Sequence, residues 1–136
     1  MLFKHRLMLF IVLFGLSLTC LQADPAKVAL VMGNSYKEAK PLLPNLPHSL
    51  NDAQDITDKL HNLGFEVVPI YDMKKSEIDH TLNEFKSKLK PGALALVFYA
   101  GHGWQIKGEN YFPAVDADIR SEKDVPAQSL SVKEIL

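Results

Sequence analysis

The sequence predicts an α/β domain built on a mostly parallel sheet, and three observations carry that expectation. Apolar runs at residues 27–32, 65–71 and 93–100 alternate with two segments whose apolar residues recur at helical spacing. Proline and glycine punctuate the borders between these runs. The resulting order, strand, helix, strand, helix, strand, implies parallel strands joined by right-handed crossovers.

With 136 residues the chain holds one domain at most, and not all of it is domain. Met1 to Ala23 has a basic start at Lys4 and Arg6, an apolar run from Leu7 to Leu18 and a polar end, the plan of a secretory signal peptide. That run is shorter than the roughly 18 residues of a spanning helix, so export to the periplasm or medium is expected, with cleavage after Ala23 and no membrane contact beyond the leader. Cys20, the single cysteine, is a second candidate feature as a lipid-attachment site, although Ser17, Leu18 and Thr19 before it fit that pattern poorly. One cysteine excludes an intrachain disulfide. All 16 acids lie beyond Ala23 and two of the 15 bases precede it, leaving residues 24–136 with a net charge of about −3. No basic stripe interleaved with aromatics is present, and no nucleic-acid partner is expected.

The elements follow in order. Lys27 to Met32 is a first strand ending at Gly33, Asn34, Ser35 and Tyr36. Pro41, Pro44 and Pro47 make residues 37–47 an irregular surface connection. Ser49 and Asp52 have capping-box form, and Leu50, Ala53, Ile56, Leu60 and Leu63 continue at helical spacing until Gly64. Phe65 to Tyr71 reads as a second strand, with Pro69 pointing to a sheet edge or a bulge. Asp72 offers a cap for a second helix whose apolar stripe is Ile78, Leu82, Phe85 and Leu89. Pro91 and Gly92 launch Ala93 to Ala100, whose unbroken apolar character suits a central strand covered on both faces. Trp104 to Lys107 and Asn110 to Pro113 flank a turn at Gly108 and Glu109, giving a small hairpin. Asp116 to Ala127 reads as a charged, mobile loop, after which Ser129 or Ser131 caps a helix starting at Val132.

His102 stands just past the third strand, where open α/β sheets bind ligands, between Gly101 and Gly103. It is the one side chain there that titrates near neutrality; by itself it reads equally as a turn histidine held for structural reasons. Several features now coincide: the first strand into Gly33 and Asn34, the Asn51, Asp52, Ala53 opening of the first helix, Leu63 to Phe65, Tyr99 to Gly103, Gly108 to Tyr111, and Val115 with Asp116. In order and spacing they resemble the caspase-like cysteine peptidases, closest to bacterial caspase-domain proteins and metacaspases. The resemblance covers nearly all of residues 24–136 and implies a three-layer α/β/α caspase-like fold with a mostly parallel sheet, incomplete at the C-terminus. It implies a cysteine endopeptidase acting on protein or peptide substrates, with His102 as the catalytic acid and the Gly103 backbone N–H as an oxyanion donor. It further implies that Asp52 receives an Arg or Lys side chain before the scissile bond. Asp52 also stands where a carboxylate meets the positive end of a helix, and both roles can coexist.

The departure from that pattern is the nucleophile. The family's cysteine follows the next strand, which the sequence does not contain, and Cys20 lies in the leader. This chain is therefore expected to be inactive alone, as the N-terminal part of a catalytic domain truncated before the nucleophile strand. The alternative is a non-catalytic caspase-fold domain that binds peptides. A flavodoxin-like or receiver-like domain also satisfies the alternation, with Asp72 as its sole support. His48, His61 and His80 have no metal-ligand spacing, and the glycines lack phosphate-loop spacing, so no metal or cofactor is expected. Trp104 reads as a packing residue and Asp116 as a holder of loop structure. Oligomeric state is not legible.

Overall fold

A computed structural model describes residues 24–136; the expected leader, with Cys20, lies outside the described residues. Three strands, β1 (Lys27–Gly33), β2 (Glu66–Tyr71) and β3 (Leu94–Ala100), form a parallel sheet in the order β2-β1-β3. Two crossover helices, α1 (Ser49–Asn62) and α2 (Ile78–Lys88), cover its two faces. Strand alternation sorts the core accordingly. Ala29 and Val31 pack with Ala53 and Leu60 of α1, whereas Val28, Leu30 and Met32 pack with Leu82 and Phe85 of α2. Each large apolar side chain buried this way contributes on the order of 1.5–3 kcal/mol, which is why both helix stripes face inward. The three-layer α/β/α arrangement is thus present.

The expectation that Ala93 to Ala100 forms the central strand is corrected. Central place belongs to β1, whose residues from Val28 to Met32 are at most 1% exposed, while β3 pairs only with β1 among the described residues. Val97 of β3 is 40% exposed, because an apolar run is compatible with an edge as well as with the interior. Pro69 does lie at an edge, since β2 pairs only with β1 among the described residues. Its missing N–H therefore interrupts no outer ladder.

Gly33 fixes how closely α1 approaches the sheet. A Cβ there would stand 2.6 Å from the Ala53 Cβ and 3.0 Å from the Ser49 carbonyl oxygen, so only glycine lets the helix start against the strand end. Ser49 does not cap that helix as expected: its hydroxyl faces the carbonyls of Leu46 at 2.7 Å and Asn34 at 2.8 Å, and the N-cap residue is His48, without a side-chain cap. Leu63 leaves the predicted stripe and is 63% exposed, because the helix has already ended at Asn62.

A second, antiparallel sheet follows, with β4 (Trp104–Ile106), β5 (Glu109–Pro113) and β6 (Ser129–Ser131) in that order. Its hairpin turn is at Lys107 and Gly108, one residue earlier than expected, with φ values of 52° and 82°. Two positive φ angles match the twist that two-residue hairpins require. The loop between β5 and β6 is not mobile in character: Ala117, Ile119 and Val125 join Tyr36 and Leu43 in a core of their own, with Trp104 packed against it. Ser131, not Ser129, caps the short helix α3 (Val132–Ile135), accepting from Lys133 N at 3.1 Å while Glu134 accepts from Ser131 N at 3.0 Å. No helix among the described residues is long and apolar enough to cross a membrane.

Candidate active site

The carboxyl ends of the three parallel strands converge on Asn34, whose side chain is fully buried. Its backbone N–H donates to the Ala100 carbonyl at 2.9 Å, joining the ends of β1 and β3. The side-chain Oδ1 accepts from Met73 N at 2.9 Å, and Nδ2 donates to the Pro113 carbonyl at 3.1 Å. Its own carbonyl accepts from the Ser49 hydroxyl at 2.8 Å. One residue therefore ties β1 to the segment after β2 and to the hairpin sheet through its side chain, and to α1 through its carbonyl. A buried amide demands such partners, because an unpaired one costs about 1–3 kcal/mol.

Ser35 continues the junction, donating from its N–H at 2.7 Å and its hydroxyl at 2.8 Å to Asp72 Oδ1. This corrects the helix-capping expectation for Asp72, which holds the loop after β1 instead. The segment before α2 begins as a short 3-10 turn, where Glu77 accepts from Lys74 N at 2.8 Å. Asp116 also spans elements, accepting from Lys75 N at 2.9 Å.

His102 sits above this junction. Its Nε2 lies 2.7 Å from the Pro44 carbonyl. A carbonyl only accepts, so Nε2 carries a proton and Nδ1 is the nitrogen left to exchange one. The carbonyl is held in place because the loop around it is pinned: Lys40 and Leu43 exchange backbone bonds at 3.1 and 3.0 Å, and Leu46 N donates to Ser35 O at 2.7 Å. Leu43 is buried, and Lys40 donates through Nζ to the Ala117 carbonyl at 2.6 Å. A proline-punctuated loop that reads as a mere connection thus supplies the histidine's orienting acceptor. Pro44 carries no sequence signal for that role beyond the stiffness of its ring.

Two tyrosines support the imidazole from below. The Tyr36 ring lies 4.8 Å from the His102 ring, centroid to centroid, at an interplanar angle of 49°. Its hydroxyl donates to the Pro113 carbonyl at 2.6 Å. Tyr99 stacks on Phe112 at 3.9 Å and donates to the His102 carbonyl at 2.8 Å, with its hydroxyl 3.0 Å from that of Tyr36. Burial pushes both phenols upward in pKa, so neither is charged near neutrality. Tyr99 also explains Gly101: a Cβ there would fall 2.3 Å from the Tyr99 hydroxyl oxygen. At Gly103 a Cβ would meet nothing within 4 Å, so that residue faces open space.

Asp52 lies in the first turn of α1, at the helix's positive end. It lines a cavity of about 380 Å³ together with Leu46, Pro47, His48, Ser49, Tyr99, Ala100 and Gly101. Among those lining residues it is the single carboxylate, and it forms no side-chain hydrogen bond among the described residues. The cavity reaches Gly101, the residue before His102 in the turn, and neither His102 nor Gly103 lines it. His61 and His80 are exposed on their helices. No group of three or more His, Cys, Asp or Glu among the described residues is placed to hold a metal ion.

Residues 26–135 match the family model described as the caspase domain. Mucosa-associated lymphoid tissue lymphoma translocation protein 1 of Homo sapiens is 36% identical to this chain over 107 residues, and its homolog in Mus musculus is likewise 36% identical over 107 residues. The aligned part is 76% of this chain and 12% of each of those proteins, so the chain spans a small fraction of their length.

Replacing Asn34 with Ala removes the acceptor of the buried Met73 N–H and the amide donor to Pro113. Asn34→Ala is expected to lower unfolding stability by about 3 kcal/mol in urea denaturation. A loss below about 1 kcal/mol would show that the junction is held by other bonds.

Proposed function

The chain belongs to the caspase-domain family, and on that premise we propose that it carries the histidine half of a cysteine-endopeptidase site that takes peptides with Arg or Lys before the scissile bond. The observation supporting this most strongly is a cavity whose single lining carboxylate is Asp52 and whose wall includes Gly101, the residue before His102. In the proposed reaction, Nδ1 of His102 takes the proton of a cysteine thiol, and the thiolate attacks the peptide carbonyl carbon. As the C–N bond breaks, the imidazolium returns the proton to the departing amine, leaving an acyl-thioester that water hydrolyses. The Gly103 N–H is proposed to meet the negative charge developing on the carbonyl oxygen. Asp52 is proposed to receive the guanidinium or ammonium of the preceding side chain, which a carboxylate free of protein partners can do without breaking another bond.

The sequence has one cysteine, Cys20, which falls in the expected leader. That observation favours a second reading for the chain as it stands, a caspase-fold domain that binds peptides without cleaving them. The nucleotides after the Leu136 codon separate the two: an in-frame apolar strand ending in cysteine supports the peptidase, and a stop codon there leaves binding alone. Export through the leader is part of the same proposal, tested by sequencing the amino terminus of the exported protein.

In a thiol-bearing form, His102→Ala is expected to reduce turnover of Arg- or Lys-ended fluorogenic peptides by at least about 10²-fold. Full activity in that variant would remove His102 from the mechanism. Asp52→Ala is expected to lower kcat/KM at least about tenfold for basic peptides selectively, while stability changes by less than about 1 kcal/mol. Unchanged side-chain preference with a larger stability loss would return Asp52 to a purely helical role.

A further inference from the structure

The carbonyl of His102 and the N–H of Gly103 belong to one peptide unit, and a trans peptide is planar with the two groups pointing in opposite directions. No cis bond occurs among the described residues, so this unit is trans. Its carbonyl is held from the buried side by the Tyr99 hydroxyl at 2.8 Å. Its N–H makes no hydrogen bond among the described residues and leaves from a glycine with nothing within 4 Å of its Cβ position. We propose that Tyr99 is a positioning residue that aims the Gly103 N–H at the substrate carbonyl by bonding the other end of the same peptide. This inference rests on the reading of Gly103 as an oxyanion donor.

The geometry makes such a device necessary. A peptide flanked by glycine rotates readily, because Gly103 populates backbone conformations that other residues avoid. Gly101 before it allows the Tyr99 side chain to fold back over its own chain, since any Cβ at 101 would collide with the phenol. The same spacing, aromatic, two residues, histidine, thus lets a strand residue reach the carbonyl three positions on.

Proton counting supports one direction for the bond. Tyr36 gives its single hydroxyl proton to the Pro113 carbonyl at 2.6 Å, so the proton of Tyr99 is the one shared between the His102 carbonyl and the Tyr36 oxygen. Stacking on Phe112 fixes the ring that presents it. Both phenols stay protonated at neutral pH because burial disfavours the phenolate, and the donor is therefore always available.

The test is Tyr99→Phe, which keeps the ring on Phe112 and removes only the hydroxyl. In ¹⁵N relaxation measurements on the full chain, the Gly103 amide order parameter is expected to fall from about 0.85 to below about 0.6, with other strand-end amides unchanged. Tyr36→Phe leaves the Tyr99 donor in place and is expected to keep Gly103 rigid. A rigid Gly103 in Tyr99→Phe overturns the positioning role. Should Tyr99→Phe not fold, the parent decides: a rigid Gly103 with a Tyr99 hydroxyl proton protected from exchange supports the role, and a mobile Gly103 overturns it. In a thiol-bearing form, Tyr99→Phe is expected to cut kcat about tenfold or more with KM little changed, as loss of a transition-state donor requires. Loosening of Gly103 in Tyr99→Phe together with no peptidase activity in the thiol-bearing parent would sink the peptidase reading while still showing that Tyr99 holds the Gly103 peptide.

Discussion

The buried amide of Asn34 is the constraint on which the arrangement depends. Its side chain pairs with the segment after β2 and with the hairpin sheet, while its main-chain N–H and carbonyl pair with the end of β3 and the start of α1. A buried polar residue is stabilising only when its bonds are made, which makes Asn34, through side chain and main chain together, the point where five segments meet. Gly33 beside it permits the close helix approach that brings Ser49 into range.

From that junction the geometry of the site follows in steps. The loop leaving Asn34 is latched by Ser35 to Asp72 and by Leu46 to Ser35, so the Pro44 carbonyl arrives at the imidazole of His102. The strand leaving it at Ala100 carries Tyr99, whose hydroxyl holds the peptide after His102. The helix starting against Gly33 carries Asp52 to the wall of the neighbouring cavity. Three candidate groups on three elements are therefore positioned from one buried residue.

Much of this was legible in the sequence, and what was not has physical causes. The three parallel strands, the two helix stripes, an edge or bulge at Pro69 and a cap at Ser129 or Ser131 follow from local period and turn chemistry, which need only neighbours in sequence. The position of β3 in the sheet did not, because Leu94 to Ala100 has the same apolar character at an edge as inside. Ser129 to Ser131 is too short for any alternation to declare a strand. Ser49 and Asp72 look like caps, yet each bonds a partner 15 or more residues away, and a long-range acceptor leaves no local trace. Asn34 and the Pro44 carbonyl were silent for the same reason. His102, Gly103 and Asp52 were singled out through resemblance to a family pattern, and periodicity alone would have left His102 as a turn residue.

Under the proposed function, the Asp52 cavity and the Gly103 N–H together receive a peptide ending in a basic side chain. The most direct measurement is a ¹H–¹⁵N titration of the chain with acetylated peptides that differ only in ending in Arg or in Leu. Saturable shifts at Asp52, Gly101 and Gly103 with the Arg peptide, and much smaller ones with the Leu peptide, are the expected result. Equal shifts with both peptides, or shifts confined to residues outside this cavity and turn, would contradict it.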